Sequence, residues 1–239
     1  MPGSKQHMVV VGGTSGIGLA VAQGAHARGC QVTIAGRGAE RAADIARSIG
    51  PGVIGLPIDL EDAASIRAAL SDGPAIDHLV LTSIHRLATS VKDFNIVEAN
   101  RLAHVKLTGY VEAVSAALPR LKPTSAIMLF GGLAKANPYV GSTMISIVNG
   151  GIVGMTKTMA VELAPIRVNS VSPGLVADSP RWESAVKQGG SAIVDAMIAR
   201  TPARRPALMD DIVHAVFFLL DNRAVNGIDL EIDGGIQLV

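Results

Sequence analysis

Val9-Val-Val-Gly12-Gly13-Thr14-Ser15-Gly16-Ile17-Gly18 decides the fold of this chain. The valines read as the end of a short buried strand, and Gly16 opens a longer segment with helical periodicity. A strand that turns through glycines directly into a helix leaves the first backbone N–H groups of that helix without internal partners. Those groups and the helix dipole make a seat for an anion, and glycines let a ligand approach the main chain closely. A pyrophosphate suits that seat, which assigns Gly12, Thr14, Ser15, Gly16, Ile17 and Gly18 to nucleotide binding.

Outward from this turn, short apolar runs alternate with longer amphipathic ones. Strands are expected at 8–11, 31–35, 53–58, 78–82, 126–130, 166–171 and 228–232, and helices at 16–28, 39–49, 63–70, 94–118, 143–163, 191–199 and 210–220. The strands are β-branched and apolar on both faces, as in a parallel sheet covered on both sides. The expected fold is α/β, a doubly wound seven-stranded parallel sheet with helices on both faces, of Rossmann type. No linker or repeat interrupts the chain, so residues 1–239 form one expected domain. The least periodic stretch, 177–206, carries Asp178-Ser-Pro180, Gly189-Gly190 and Pro202, and reads as a substrate-loop insertion.

Composition narrows the function classes. Apolar residues make up 49% and charged residues 17%, which excludes disorder; with aromatics at 3% the core must be aliphatic. The net charge is +1 and the only basic cluster is Arg200, Arg204 and Arg205, so nucleic acid is not an expected partner. A lone cysteine, Cys30, suits a reducing compartment. The polar N-terminus runs into an apolar segment too short for a signal peptide, and no long uncharged apolar run suggests a membrane span. A cytoplasmic location is expected.

The spacing Gly12-x-x-x-Gly16-x-Gly18 resembles that of the short-chain dehydrogenase/reductase family. Asp59, Asp77-His-Leu-Val80, Asn169-Ser-Val-Ser-Pro173-Gly174 and Asp233-Gly234-Gly235 fall in register with that family's further motifs, so the resemblance spans nearly the whole chain. It implies adenine contacts at Asp59 and Leu60, and contacts with the rest of a nicotinamide dinucleotide at Thr82, Pro173, Gly174 and Val176. Ile34-Ala-Gly36-Arg37 ends the second strand without the carboxylate that would select NAD(H), while Arg37 offers a planar fork for a phosphate. NADP(H) is the expected cofactor, and no metal is expected. The resemblance also implies a homodimer or homotetramer, which the apolar segments 213–220 and 236–239 fit.

The family's chemistry rests on a Tyr-x-x-x-Lys pair and an upstream Ser. Register through Gly154-Met-Thr-Lys157-Thr-Met-Ala160 puts Ile145 and Asn149 at the pair and Gly132 at the serine. Neither Tyr110 nor Tyr139 has a lysine four residues later, so the loss does not depend on alignment. Asn149 is neutral and still offers hydrogen bonds to a ribose. Replacement proton donors are sought in His85, at the end of the fourth strand, and Tyr139, in the loop bordering the substrate pocket; Lys135 reads as a solvated cation. Asn100 is a loose match to the family's helix-four asparagine.

The expected function is an atypical NADP(H)-dependent oxidoreductase acting on a small, largely apolar molecule through a C=N, C=C or C=O bond. Hydride addition to an iminium needs no acid, so C=N or a strongly polarised C=C is expected to suit the site better than a simple ketone. The alternatives are an NADP(H)-binding pseudoenzyme or redox sensor, and a non-redox lyase or isomerase on the same fold.

Overall fold

A computed structural model describes residues 5–85 and 87–239. Seven parallel strands form one sheet in the order β3-β2-β1-β4-β5-β6-β7. They are β1 His7–Val11, β2 Gln31–Gly36, β3 Ile54–Pro57, β4 Ile76–Leu81, β5 Leu121–Phe130, β6 Arg167–Pro173 and β7 Asp229–Ile232. β1 is buried throughout, and Val9 and Val11 face one helical layer while Met8 and Val10 face the other.

Helices α1 (Gly16–Ala27), α2 (Ala39–Ile49) and α9 (Met209–Asp221) cover one face, where Val21, Ala22, Ala25, Ala46, Ile212 and Val216 are buried. The other face is covered by α3 (Ala63–Leu70), α4 (Ile96–Ala103), α5 (Gly109–Ala117) and α6 (Thr143–Glu162). The expected helix 94–118 is interrupted: α4 and α5 are joined by a π-helical turn, His104–Thr108. α6 is long and apolar enough to cross a bilayer by length and composition alone. Here it lies on the sheet with Val148, Ile152 and Met159 buried.

The stretch 177–206 contains two short helices, α7 (Pro180–Ala185) and α8 (Ser191–Arg200), of which α7 was not foreseen. Pro180 sits at its first turn, where a proline costs no hydrogen bond.

Candidate active site

Strand order reverses between β1 and β4, whose crossovers leave in opposite directions and open a crevice at the carboxyl ends of the strands. A cleft of about 1360 Å³ occupies that place, larger than one drug-sized ligand requires. It is lined by Gly12, Thr14, Ser15, Gly16, Ile17 and Gly18, by Arg37, Asp59, Leu60 and Thr82, and by Asn149, Pro173, Gly174 and Val176. The residues assigned to a dinucleotide from sequence thus share one cavity.

The glycine turn is built for close approach. Gly12 has φ +89°, and a Cβ on Gly18 would stand 2.3 Å from the Gly12 carbonyl oxygen, so the turn and α1 can touch only without side chains. Gly16 faces open space instead. Ser15 caps α1 without a side-chain hydrogen bond, and no acid stands in the first turn. The positive end of α1 is therefore open toward the cleft. Arg37, exposed at the end of β2, has no ion-pair partner among the described residues. Arg41, one helical turn on, donates to the Thr14 carbonyl at 3.5 Å.

The residues that the sequence reading sets at the catalytic trio, Gly132, Ile145 and Asn149, all line the cleft. A Cβ on Gly132 would lie 2.8 Å from Asn149 Nδ2, so the Asn149 amide fills the space a serine would need. Asn149 is buried, and its Oδ1 has no hydrogen-bond partner among the described residues. An orphaned buried carbonyl oxygen calls for a donor from outside the protein, and ribose hydroxyls are such donors, so these residues fit a bound dinucleotide. Ile145 is a further lining residue and presents only hydrocarbon.

His85 and Tyr139 both line the cleft. His85 Nε2 lies 2.8 Å from Glu98 Oε2 in α4, which fixes the ring at the rim. Tyr139 is 54% exposed, and its backbone N–H donates to Ser142 Oγ at 3.0 Å. Two readings need correction. Lys135 is not solvated: its ammonium lies 3.2 Å from Asp229 and 2.5 Å from Glu231 on β7. Burial alone would lower its pKa, but Glu231 and Asp229 outweigh it and hold the group above the ordinary lysine value. Asn100 is exposed and takes no part in the cleft lining.

One residue escaped the sequence reading. Lys106, in the middle of the π turn, is 2% exposed yet lines the cleft. Its Nζ lies 3.4 Å from the hydroxyl of Tyr110, which donates in turn to the Ser83 carbonyl at 2.8 Å. The lysine precedes the tyrosine by four residues, the reverse of the order that was sought. A lysine placed with Leu102 and Tyr110 on the apolar side of a helix was the available signal.

Residues 11–237 match a family model described as Enoyl-(Acyl carrier protein) reductase. The chain is 29% identical to the short-chain dehydrogenase/reductase ucsE of an Acremonium species, over 97% of this chain and 95% of that protein. It is also 29% identical to 2-(S)-hydroxypropyl-CoM dehydrogenase 3 of Xanthobacter autotrophicus, covering 97% of this chain and 96% of the other. A crystal structure of a small-chain dehydrogenase in complex with NADPH superposes with a TM-score of 0.84 at 27% identity, over 99% of this chain and 100% of that one.

Proposed function

The chain belongs to the short-chain dehydrogenase/reductase family, and from that premise we propose that it is an NADP(H)-dependent oxidoreductase with non-standard catalytic residues. Its substrate is a small, largely apolar molecule. The observation that carries this reading is the orphaned Asn149 Oδ1 in the same cleft as the open N-terminus of α1.

The glycine turn and the first amides of α1 bind the pyrophosphate. Arg37 pairs with the ribose 2′-phosphate, and Asp59 and Leu60 border the adenine. Asn149 accepts from a nicotinamide ribose hydroxyl, while Thr82, Pro173, Gly174 and Val176 frame the nicotinamide end. A bound nicotinamide dinucleotide supplies or accepts a hydride. Ile84, Phe130, Ile145, Leu175, Trp182 and Met197 line the cleft and provide the apolar surface that excludes water from a substrate. α7 and α8 contribute Trp182 and Met197 and act as the lid of residues 177–206. His85 and Tyr139 remain candidate proton donors at its rim. The exposed apolar residues Phe218, Leu238 and Val239 support a homodimer or homotetramer.

Fluorescence titration with NADPH and NADH tests the reading. Wild-type protein is expected to favour NADPH, and Arg37→Asp is expected to weaken NADPH binding by about tenfold or more while sparing NADH. No affinity for either nucleotide would sink the proposal. Binding without turnover of any carbonyl, imine or activated alkene would favour the sensor. Substrate conversion without net nucleotide consumption would favour the lyase or isomerase.

A further inference from the structure

Asn149 and Ile145 cannot deliver a proton to a substrate, His85 is paired with Glu98 at the rim, and Tyr139 is exposed. Lys106 can deliver one. A buried lysine is costly to a fold, which retains one where the group has a use. It stands in a π-helical turn, a local irregularity concentrated at functional sites. That turn packs on the helix that bears Asn149: a Cβ on Gly151 would come 2.7 Å from Leu107.

Tyr110 is one of the groups that hold Lys106. Its one hydroxyl proton is committed to the Ser83 carbonyl, so its oxygen is left to accept from Lys106 Nζ. The ammonium also lies 5.1 Å from the centre of the Tyr110 ring. Burial raises the phenol well above its ordinary pKa, so it stays protonated and neutral. Tyr110 therefore positions the lysine and does not itself titrate.

Resting on the oxidoreductase reading above, we propose that Lys106 is the proton donor of this site, positioned by Tyr110, and that the substrate is a neutral carbonyl compound. A reduced nicotinamide dinucleotide, when bound, would supply the hydride to the carbonyl carbon and be left oxidised; the C=O π pair moves to oxygen, and that oxygen takes a proton from Lys106 Nζ to give an alcohol. The neutral amine left behind regains its proton from water of the open cleft. The same ammonium repels a cationic iminium, which reverses the substrate preference expected from the missing tyrosine alone.

Three measurements test this. The first uses the protein without nucleotide and titrates it with para-nitrophenolate, a small apolar oxyanion. Lys106→Met is expected to weaken its binding by about tenfold or more; equal binding by wild type and variant overturns the lysine's role. The second compares NADPH-dependent reduction of α-tetralone with that of the similarly sized N-methyl-3,4-dihydroisoquinolinium cation. Lys106→Met is expected to lower ketone kcat by about 10²- to 10⁴-fold and to spare or raise iminium turnover. Ketone turnover that survives in the variant, or a wild type that prefers the iminium, overturns the proposal. In the third, Tyr110→Phe is expected to cut ketone kcat about tenfold with KM within about twofold, a split that a packing defect would not produce. Methionine resembles the lysine stem in length and adds no charge, so the variant is expected to fold; Lys106→Gln provides a second neutral form. Failure of wild type to bind NADPH overturns the oxidoreductase reading itself, whereas retained NADPH binding with unchanged para-nitrophenolate affinity overturns only the role of Lys106.

Discussion

Gly132 has φ 169°, extended backbone that any residue adopts, so no conformational reason requires a glycine there. The reason is space: the Asn149 amide stands where a side chain would go. A side chain at 132 and the Asn149 amide therefore compete for one space, and the two positions are coupled. Gly132→Ser alone is expected to overpack the site and cost about 1–3 kcal/mol. Adding Asn149→Ala, which also removes a buried orphan oxygen, is expected to restore most of that stability. Denaturant midpoints of the two single variants and the double variant measure the coupling, and strictly additive costs would contradict it. The register behind the expected assignment of Ile145 and Asn149 was legible in the sequence because α6 runs without interruption from Ile145 through Asn149 to Ala160. Lys106 was not, because the reading sought a tyrosine followed by a lysine on one helix. Nor was the pairing of Lys135, whose partners Asp229 and Glu231 lie on a strand far along the chain.

At the scale of elements, the inner strands were easy to read because they are apolar runs that the parallel sheet buries on both faces, while the edge strands β3 and β7 are only partly buried. The start of β5 was not, since Lys122-Pro-Thr-Ser125 breaks the apolar run that continues to Phe130. The π turn between α4 and α5 was invisible for another reason. Residues 94–118 carry a helical pattern throughout, and one extra residue in a turn leaves no compositional trace. Gly109, the first residue of α5, marks where that turn ends. A Cβ there would stand 2.6 Å from the Leu60 carbonyl oxygen, which is backbone and cannot swing aside. Gly→Ala in a helix ordinarily gains about 1 kcal/mol. At this junction Gly109→Ala is expected instead to lose about 1–3 kcal/mol, because α5 must lift off the loop after β3. Leu60 lines the cleft, so NADPH affinity is expected to fall with it. A thermal midpoint above that of wild type would show that α5 does not seat on this carbonyl.

The whole molecule divides its chemistry between the two ends of one sheet. The carboxyl end is open, with unspent amides on α1, an orphaned oxygen at Asn149 and the Lys106 ammonium in the cleft wall. Toward the amino end, histidines are sealed into the structure. His7 is buried, with Nδ1 3.1 Å from the Ala75 carbonyl and Nε2 3.0 Å from Thr33 Oγ1. His78 is buried in β4 beside β1, and its Nδ1 has no partner among the described residues. Desolvation lowers both pKa values below the ordinary histidine value, more than the Ala75 carbonyl restores at His7 or Asp77 at His78. The sign of the consequence follows from proton counting. Between the depressed folded pKa and the unfolded value near 6.5, the unfolded chain binds more protons, so stability falls as pH drops through that window. Each histidine contributes a slope of at most about 1.4 kcal/mol per pH unit. Asp211 adds a separate loss at lower pH: hydrogen bonds from Arg205 and from the Leu208 N–H hold it at about 2, so its contribution disappears only as pH falls below the ordinary carboxylate range. Urea midpoints are therefore expected to be level from about pH 8 to 7 and to decline from about pH 6.5 downward, well before the carboxylates titrate. His78→Leu is expected to remove one histidine's share of that slope and leave the plateau position unchanged. A midpoint that stays level to about pH 5 in wild type would show that these imidazoles are hydrated in the folded protein.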